Sequence, residues 1–347
     1  MPELRVRRDD LGVCELAAGE SLRARLAEGE AQLVVERFSL SANNITYAVK
    51  GEELGYWALF PAPPGWGVIP AWGYARVVAS RSPAASEGHR LFGLVPMGTY
   101  FTASPAAHPL GFVDAASHRE ELSRVYNHYL RVDGEGDETS LVMRPLFTTS
   151  VLLDLMLAGE GFRGAETVVL TSASSKTAYG LAHLLGKRRV QTIGLTSAAR
   201  VAWVESLGLY DTVLAYDELR EPLATGTAAL VDLAGHRALL RRLHELLGGR
   251  LKWSILVGFT HHEAEADEAP LPAPAPEFFF APDEIARRGR ELGQQYATAW
   301  EHFAPVAERT MHIERISDGN QLVRLYHDLL RGNADPGAGY VVSLGDP

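Results

Sequence analysis

The residues best placed to do chemistry lie between Thr167 and Arg200. An apolar run, Thr167-Val168-Val169-Leu170, leads into Thr171-Ser172-Ala173-Ser174-Ser175-Lys176-Thr177-Ala178-Tyr179-Gly180. A strand that passes through a small-residue turn into a helix aims backbone N–H groups at an anion. Ser174, Ser175, Lys176, Thr177 and Ala178 are therefore the candidate phosphate cradle, in which hydroxyls and one ammonium add to the amides. A second apolar run, Val190-Gln191-Thr192-Ile193-Gly194, ends in Leu195-Thr196-Ser197-Ala198-Ala199-Arg200. Where an NAD-selecting site carries a ribose-binding carboxylate, this segment offers Thr196, Ser197 and Arg200. No Asp or Glu stands between Gly194 and Arg200. These donors suit a dinucleotide with an extra phosphate. Ordinary N-capping and a solvated arginine would use the same residue types.

Other residues offer weaker chemistry. Asn43 and Tyr47 can donate hydrogen bonds to an oxygen that gains negative charge, and Tyr47 can supply a proton. An Asn43-Asn44 pair also suits a turn, and a tyrosine suits a core. Lys176-Thr177 matches the end of a nucleotide-hydrolase P-loop, but the upstream glycines that loop needs are missing. His261-His262-Glu263 has no further ligand at a useful spacing, so no metal is expected there. Gly258 closes the last apolar run of the series, at a strand end where open α/β sheets bind ligands, and joins the candidate cofactor contacts.

The elements that must position these groups follow from length and pattern. The 347 residues suffice for two cores. A charge of −10 argues against a general nucleic-acid partner, which needs a basic face. The single cysteine, Cys14, excludes an intrachain disulfide and a cysteine-rich zinc lobe. Met1 to Asp10 is charged, unlike a secretory signal, and the strongest apolar run, Val151-Leu157, is interrupted by Asp154. A cytoplasmic protein without a membrane partner is expected.

The first third reads as short strands, at Gln32-Leu40, Gly73-Ser80 and Arg90-Pro96, with a Pro-Gly loop over Pro61-Gly67. That pattern predicts a barrel-like or sandwich domain. Helical periodicity begins at Leu146 and runs to Leu157. Strands at Thr167-Leu170, Val190-Gly194, Thr212-Ala215, Ala228-Leu233 and Trp253-Gly258 then alternate with helices, which predicts a parallel sheet covered on both faces. An acidic, proline-rich loop is expected over Glu263-Pro276, one helix over Asp283-Trp300, another over Gly319-Arg331, and a closing strand over Gly339-Leu344. Aromatic residues gather at Tyr56, Trp57, Phe60, Trp66 and Trp72, at Tyr100-Phe101 and at Phe278-Phe280. Most suit cores, and some suit an apolar substrate pocket.

In this order the segments resemble the medium-chain dehydrogenase/reductase superfamily, in its zinc-independent quinone-oxidoreductase and enoyl-reductase-like branch. Ser39-Leu40-Ser41-Ala42-Asn43-Asn44 resembles the family's active-site asparagine segment. Pro70-Val77 resembles the stretch where zinc members carry Gly-His-Glu, and Val231-Asp232-Leu233-Ala234-Gly235 resembles the Asp-x-x-Gly after a Rossmann strand. The chain departs from the family at Ser175 and Lys176, where glycines are usual, while Ala178 is permitted. The resemblance implies an α/β fold, with a Rossmann-type doubly wound parallel sheet over 146–304. A β-rich GroES-like catalytic domain would comprise 1–145 and 305–347. It further implies a metal-independent, NADP(H)-dependent reductase acting on an activated alkene, quinone or carbonyl, and a homodimer. The rewritten glycine turn leaves open a degenerate fold serving as a nucleotide sensor or partner subunit, and a cofactor-independent enzyme.

Overall fold

The computed structural model describes residues 1–221, 223–258 and 270–345. The chain divides into two compact units, Met143–Thr310 and Met1–Val142 together with Met311–Pro347.

The unit Met143–Thr310 is an α/β layer structure built on a six-stranded sheet. Its strands are β1 (Thr167–Leu170), β2 (Gln191–Thr196), β3 (Thr212–Ala215), β4 (Ala228–Asp232), β5 (Leu251–Leu256) and β6 (Glu277–Phe278). Every neighbouring pair is parallel, in the order β3-β2-β1-β4-β5-β6. This is the dinucleotide-binding order, which reverses direction between β1 and β4. The central strands are buried along their whole length, β1 and β4 without exception. Covered on both faces, they must be continuously apolar rather than alternating.

Three helices return the chain between strands: α1 (Lys176–Leu185), α2 (Val201–Ser206) and α3 (Arg237–Leu247). On one face Leu240, Leu243 and Leu247 of α3 pack with Val169, Leu195 and Leu230 of the sheet. Gly180 lets α1 approach the helix Glu138–Gly159, whose Ser150 hydroxyl donates to Thr177 O at 2.8 Å. That long helix begins eight residues before the expected start, because Asp137 accepts from the Ser140 amide at 2.7 Å and the helix continues through Pro145. By length and composition it could cross a membrane, contrary to the sequence reading. Most of its apolar stretch is buried, and Asp154 pairs with Arg188 through two hydrogen bonds, at 3.1 and 2.6 Å. The single helix expected over Asp283-Trp300 is two, Ala281–Arg288 and Glu291–Thr310, separated at Gly289, whose φ of 57° no ordinary residue adopts cheaply.

The other unit is β-rich. Its main sheet joins, in order, His312–Ile316, Ala338–Val342, Ala31–Leu40, Pro70–Ser80, Arg90–Pro96, His128–Arg131, Gly111–Asp114 and Pro105–His108, and Tyr100–Ala103 also pairs with Ala31–Leu40. A smaller sheet of Cys14–Ala18, Pro2–Arg7 and Trp66–Gly67 completes it. Tyr56, Trp57, Phe60 and Phe101 are core here. An ion pair between Arg119 and Asp114, at 3.0 Å, lies wholly inside, the guanidinium 4.9 Å from the Phe60 ring centroid.

Candidate functional site

At the carboxyl end of β1 the chain makes a tight turn anchored by hydrogen bonds at Ser172 and Ala173. Ser172 has φ +49°, the left-handed region that a side chain rarely enters. Its amide donates to the Tyr216 hydroxyl at 2.8 Å. The Ala173 amide donates to Leu195 O at 2.9 Å, and its carbonyl accepts from the Tyr210 hydroxyl at 2.8 Å. The turn is thereby tied to β2 and to the segments flanking β3. Ser175 then caps α1 from an ordinary extended conformation, its hydroxyl accepting from the Ala178 amide at 3.3 Å. Lys176 and Thr177 form the first turn of α1, where helix geometry provides the amides with no carbonyl partner and the helix dipole is positive.

The carboxyl end of β2 lies beside this turn. Thr196 is buried in the strand, whereas Ser197 is exposed and Arg200 half-buried. The Arg200 guanidinium donates to the Ser174 hydroxyl at 3.3 Å. Two candidates 26 positions apart in sequence are thus brought together. Ala178, also a candidate, is wholly buried and its amide is satisfied by Ser175, so it serves the packing of α1. Gly258 lies two residues past β5, its amide pointing to Asp232 O at 3.3 Å, and a Cβ there would collide with the Leu233 carbonyl.

Sequence reasoning assigned no role to three residues of this region. Tyr216, at the end of β3, holds the Ser172 amide, and burial raises its phenol above the ordinary range. Its only sequence signal is an aromatic residue directly after a strand. Thr171 and Asp232 meet at 2.6 Å between the ends of β1 and β4. Burial pushes the Asp232 carboxyl up, against the opposing effect of the Thr171 hydroxyl and the Ala234 and Gly235 amides. The Asp-x-x-Gly pattern flagged Asp232 without assigning it a partner.

In the β-rich unit Asn43 and Tyr47 share the helix Ala42–Val49. Asn44 completes a capping box with Ser41 and donates to Pro70 O at 2.9 Å, so the second asparagine of the pair is structural. Tyr47 is 7% exposed, and its hydroxyl accepts from the Trp72 indole N–H at 3.0 Å and is hydrogen-bonded to the Asn43 side chain. Burial raises its phenol, and the two bonds oppose that shift. Its ring packs 4.6 Å from that of Tyr56, whose hydroxyl shares a 2.8 Å hydrogen bond with Tyr126.

Among the described residues no group of three or more His, Cys, Asp or Glu is placed to hold a metal, and His261-His262-Glu263 lies outside them. The donor set at the ends of β1 and β2 fits a phosphorylated coenzyme: the Arg200 guanidinium meets the Ser174 hydroxyl there, Lys176 and Thr177 open the adjoining helix, and Ser197 directly follows β2.

The whole chain superimposes on solved structures of this architecture. CurA from Vibrio vulnificus, in complex with NADPH, matches 100% of both chains with a TM-score of 0.71 at 13% identity. The yhdH oxidoreductase from Salmonella enterica, in complex with NADP, matches 99% of this chain and 100% of its own, with a TM-score of 0.61 at 16% identity. S. aureus TarJ, in complex with NADPH, matches 99% and 98%, with a TM-score of 0.56 at 10% identity. At such identities the likeness shows the fold alone, a Rossmann-type parallel sheet with a β-rich domain. No curated protein sequence matches the chain. A family profile matches residues 38–335, and the chain accordingly belongs to the family described as "Protein of unknown function (DUF2855)".

Proposed function

We propose that this protein is a metal-independent, NADP(H)-dependent reductase acting on a small apolar or aromatic molecule with an activated alkene, quinone or carbonyl group. The observation that carries the reading is the Arg200–Ser174 contact at the start of α1. A guanidinium and hydroxyls stand where an NAD-selecting site needs a carboxylate. The NADPH- and NADP-bound states of the structurally similar CurA, yhdH and TarJ support it. When bound, the coenzyme supplies a hydride to an electrophilic carbon.

The chain's own residues do the rest. Arg200, Ser197 and Ser174 bind the 2′-phosphate, while Lys176, Thr177 and the first amides of α1 hold the pyrophosphate. In the β-rich unit Tyr47 holds the proton that the reduced substrate takes up. The Trp72 N–H, by donating to its oxygen, stabilises the phenolate left behind.

Titration of the protein with NADPH and NADH, followed by nicotinamide fluorescence, tests the coenzyme claim. NADPH should bind at least about tenfold more tightly. Equal affinity, or no binding of either, overturns it. A second reading is a nucleotide sensor that no longer reduces anything, favoured by the burial of Tyr47 and the engagement of its hydroxyl by Trp72. Selective NADPH binding with no coenzyme oxidation across enones, quinones and aldehydes would establish that reading instead.

A further inference from the structure

We propose that Thr171 and Asp232 are the positioning pair of the coenzyme crevice: they lock the loops after β1, β4 and β5 together so that the nicotinamide half of the dinucleotide is received in one geometry. This rests on the NADP(H) reading above. The sheet order gives the direction. Arg200 and Ser197 put the adenosine end over β2, on one side of β1. The remainder of a dinucleotide crossing the switch point must then extend to the other side, over β4 and β5.

That side is where the pair sits. Thr171 follows β1 directly, and Asp232 is the last residue of β4. Both are buried, at 0% and 2% exposure. The Thr171 hydroxyl donates to Asp232 Oδ1 at 2.6 Å and accepts from the amides of Leu233 and Ala234 at 2.8 and 3.0 Å. One donor and two lone pairs are all a hydroxyl has, and all are used. Asp232 Oδ1 also accepts from the Ala234 amide at 3.1 Å and Oδ2 from the Gly235 amide at 3.2 Å. Its backbone oxygen takes the Val257 and Gly258 amides at 2.8 and 3.3 Å. One carboxylate residue therefore joins three loops, and no hydrocarbon side chain at 171 can reproduce the network. Gly258 permits the closeness, since any Cβ would strike the Leu233 carbonyl.

The experiment titrates the full-length protein with two probes. NADPH spans the whole crevice, whereas adenosine 2′,5′-bisphosphate carries only the adenosine end. Thr171→Val should weaken NADPH about tenfold and leave the bisphosphate within about twofold, and Thr171→Ser should restore NADPH to near the wild-type value. Asp232→Asn should show the same selective loss. Hydrogen exchange on the wild-type protein needs no variant to fold: NADPH should slow exchange of the amides from Leu233 to Gly235, and the bisphosphate should not. Equal weakening of both probes, no weakening of either, or exchange that ignores NADPH overturns the inference. Wild-type protein that binds neither probe removes the coenzyme reading and this inference with it. Binding of both with indifferent variants removes the inference alone.

Discussion

Replacing Arg200 with alanine is the sharpest perturbation of the coenzyme reading. In the free protein Arg200 is half-buried, and its contact with the Ser174 hydroxyl is long at 3.3 Å. Against a 2′-phosphate the same guanidinium would make a charge-assisted bond, worth about 1.5–3 kcal/mol. Partial exposure argues for the middle of that range. About 2 kcal/mol corresponds to roughly thirtyfold weaker NADPH binding. NADH has no group for Arg200 to hold and should stay within about twofold, so the preference itself collapses. Ser174→Ala removes one neutral donor and should cost only about two- to fivefold. Titration by nicotinamide fluorescence at two salt concentrations reads both effects. In the wild type added salt should narrow the NADPH:NADH ratio, because a half-exposed charge is screened. An unchanged ratio in Arg200→Ala would remove the residue from the site and take away the observation on which the NADP preference stands.

Three other outcomes are expected. Reinstating glycines in the turn, as Ser175→Gly with Lys176→Gly, should lower stability by about 1 kcal/mol in urea denaturation and weaken NADPH. Tighter binding would show that these side chains obstruct the site. Tyr47→Phe should cut turnover on any substrate that needs protonation by about a hundredfold or more, with NADPH affinity unchanged; an unaffected rate sends the proton elsewhere. His183 is pushed down to about 4 from an ordinary 6.5 by burial, then by Lys187, His302 and Arg309, and its Nε2 has no partner among the described residues. Between those values the unfolded chain binds the proton and the folded chain does not, so stability should fall as pH drops from 6.5 toward 4. After allowance for screening the loss is about 1–2 kcal/mol. His183→Leu should flatten that slope in urea titrations at successive pH values, and an unaltered slope would acquit the residue.

The parallel sheet was legible because its central strands are buried on both faces and read as apolar runs: the expected segments at 167–170 and 228–233 coincide with β1 and β4 within a residue, and 212–215 matches the half-exposed edge strand β3. What patterning does not encode is order. Nothing in Glu277-Phe278 announces a sixth strand, since two residues after a proline-rich stretch have no period to read. Pro145 hid the first two turns of the long helix, which a proline in mid-helix normally argues against. In the site, the phosphate turn and the Arg200 segment were visible separately because each is local. Tyr216 on Ser172, and Thr171 on Asp232, are contacts across 44 and 61 positions, and only the sheet brings them together.

The turn itself shows why a missing glycine fingerprint is weak evidence against a nucleotide. A glycine is needed where φ is positive or where a Cβ would block a close approach. Ser175 has φ −76° and ψ 146°, a routine N-cap, and Lys176 is the first residue of a helix, so neither position needs glycine for its backbone. The one left-handed residue is Ser172, at φ +49°, and its cost of about 1–2 kcal/mol is met by fixed partners on both sides. Its amide is held by Tyr216, its carbonyl receives the Ser175 amide at 2.7 Å, and the next residue is anchored to β2 through Leu195. A glycine turn is permitted its shape by the absence of side chains. This one is held in shape by two tyrosines and a serine cap, so its backbone needs no glycine at Ser175 or Lys176.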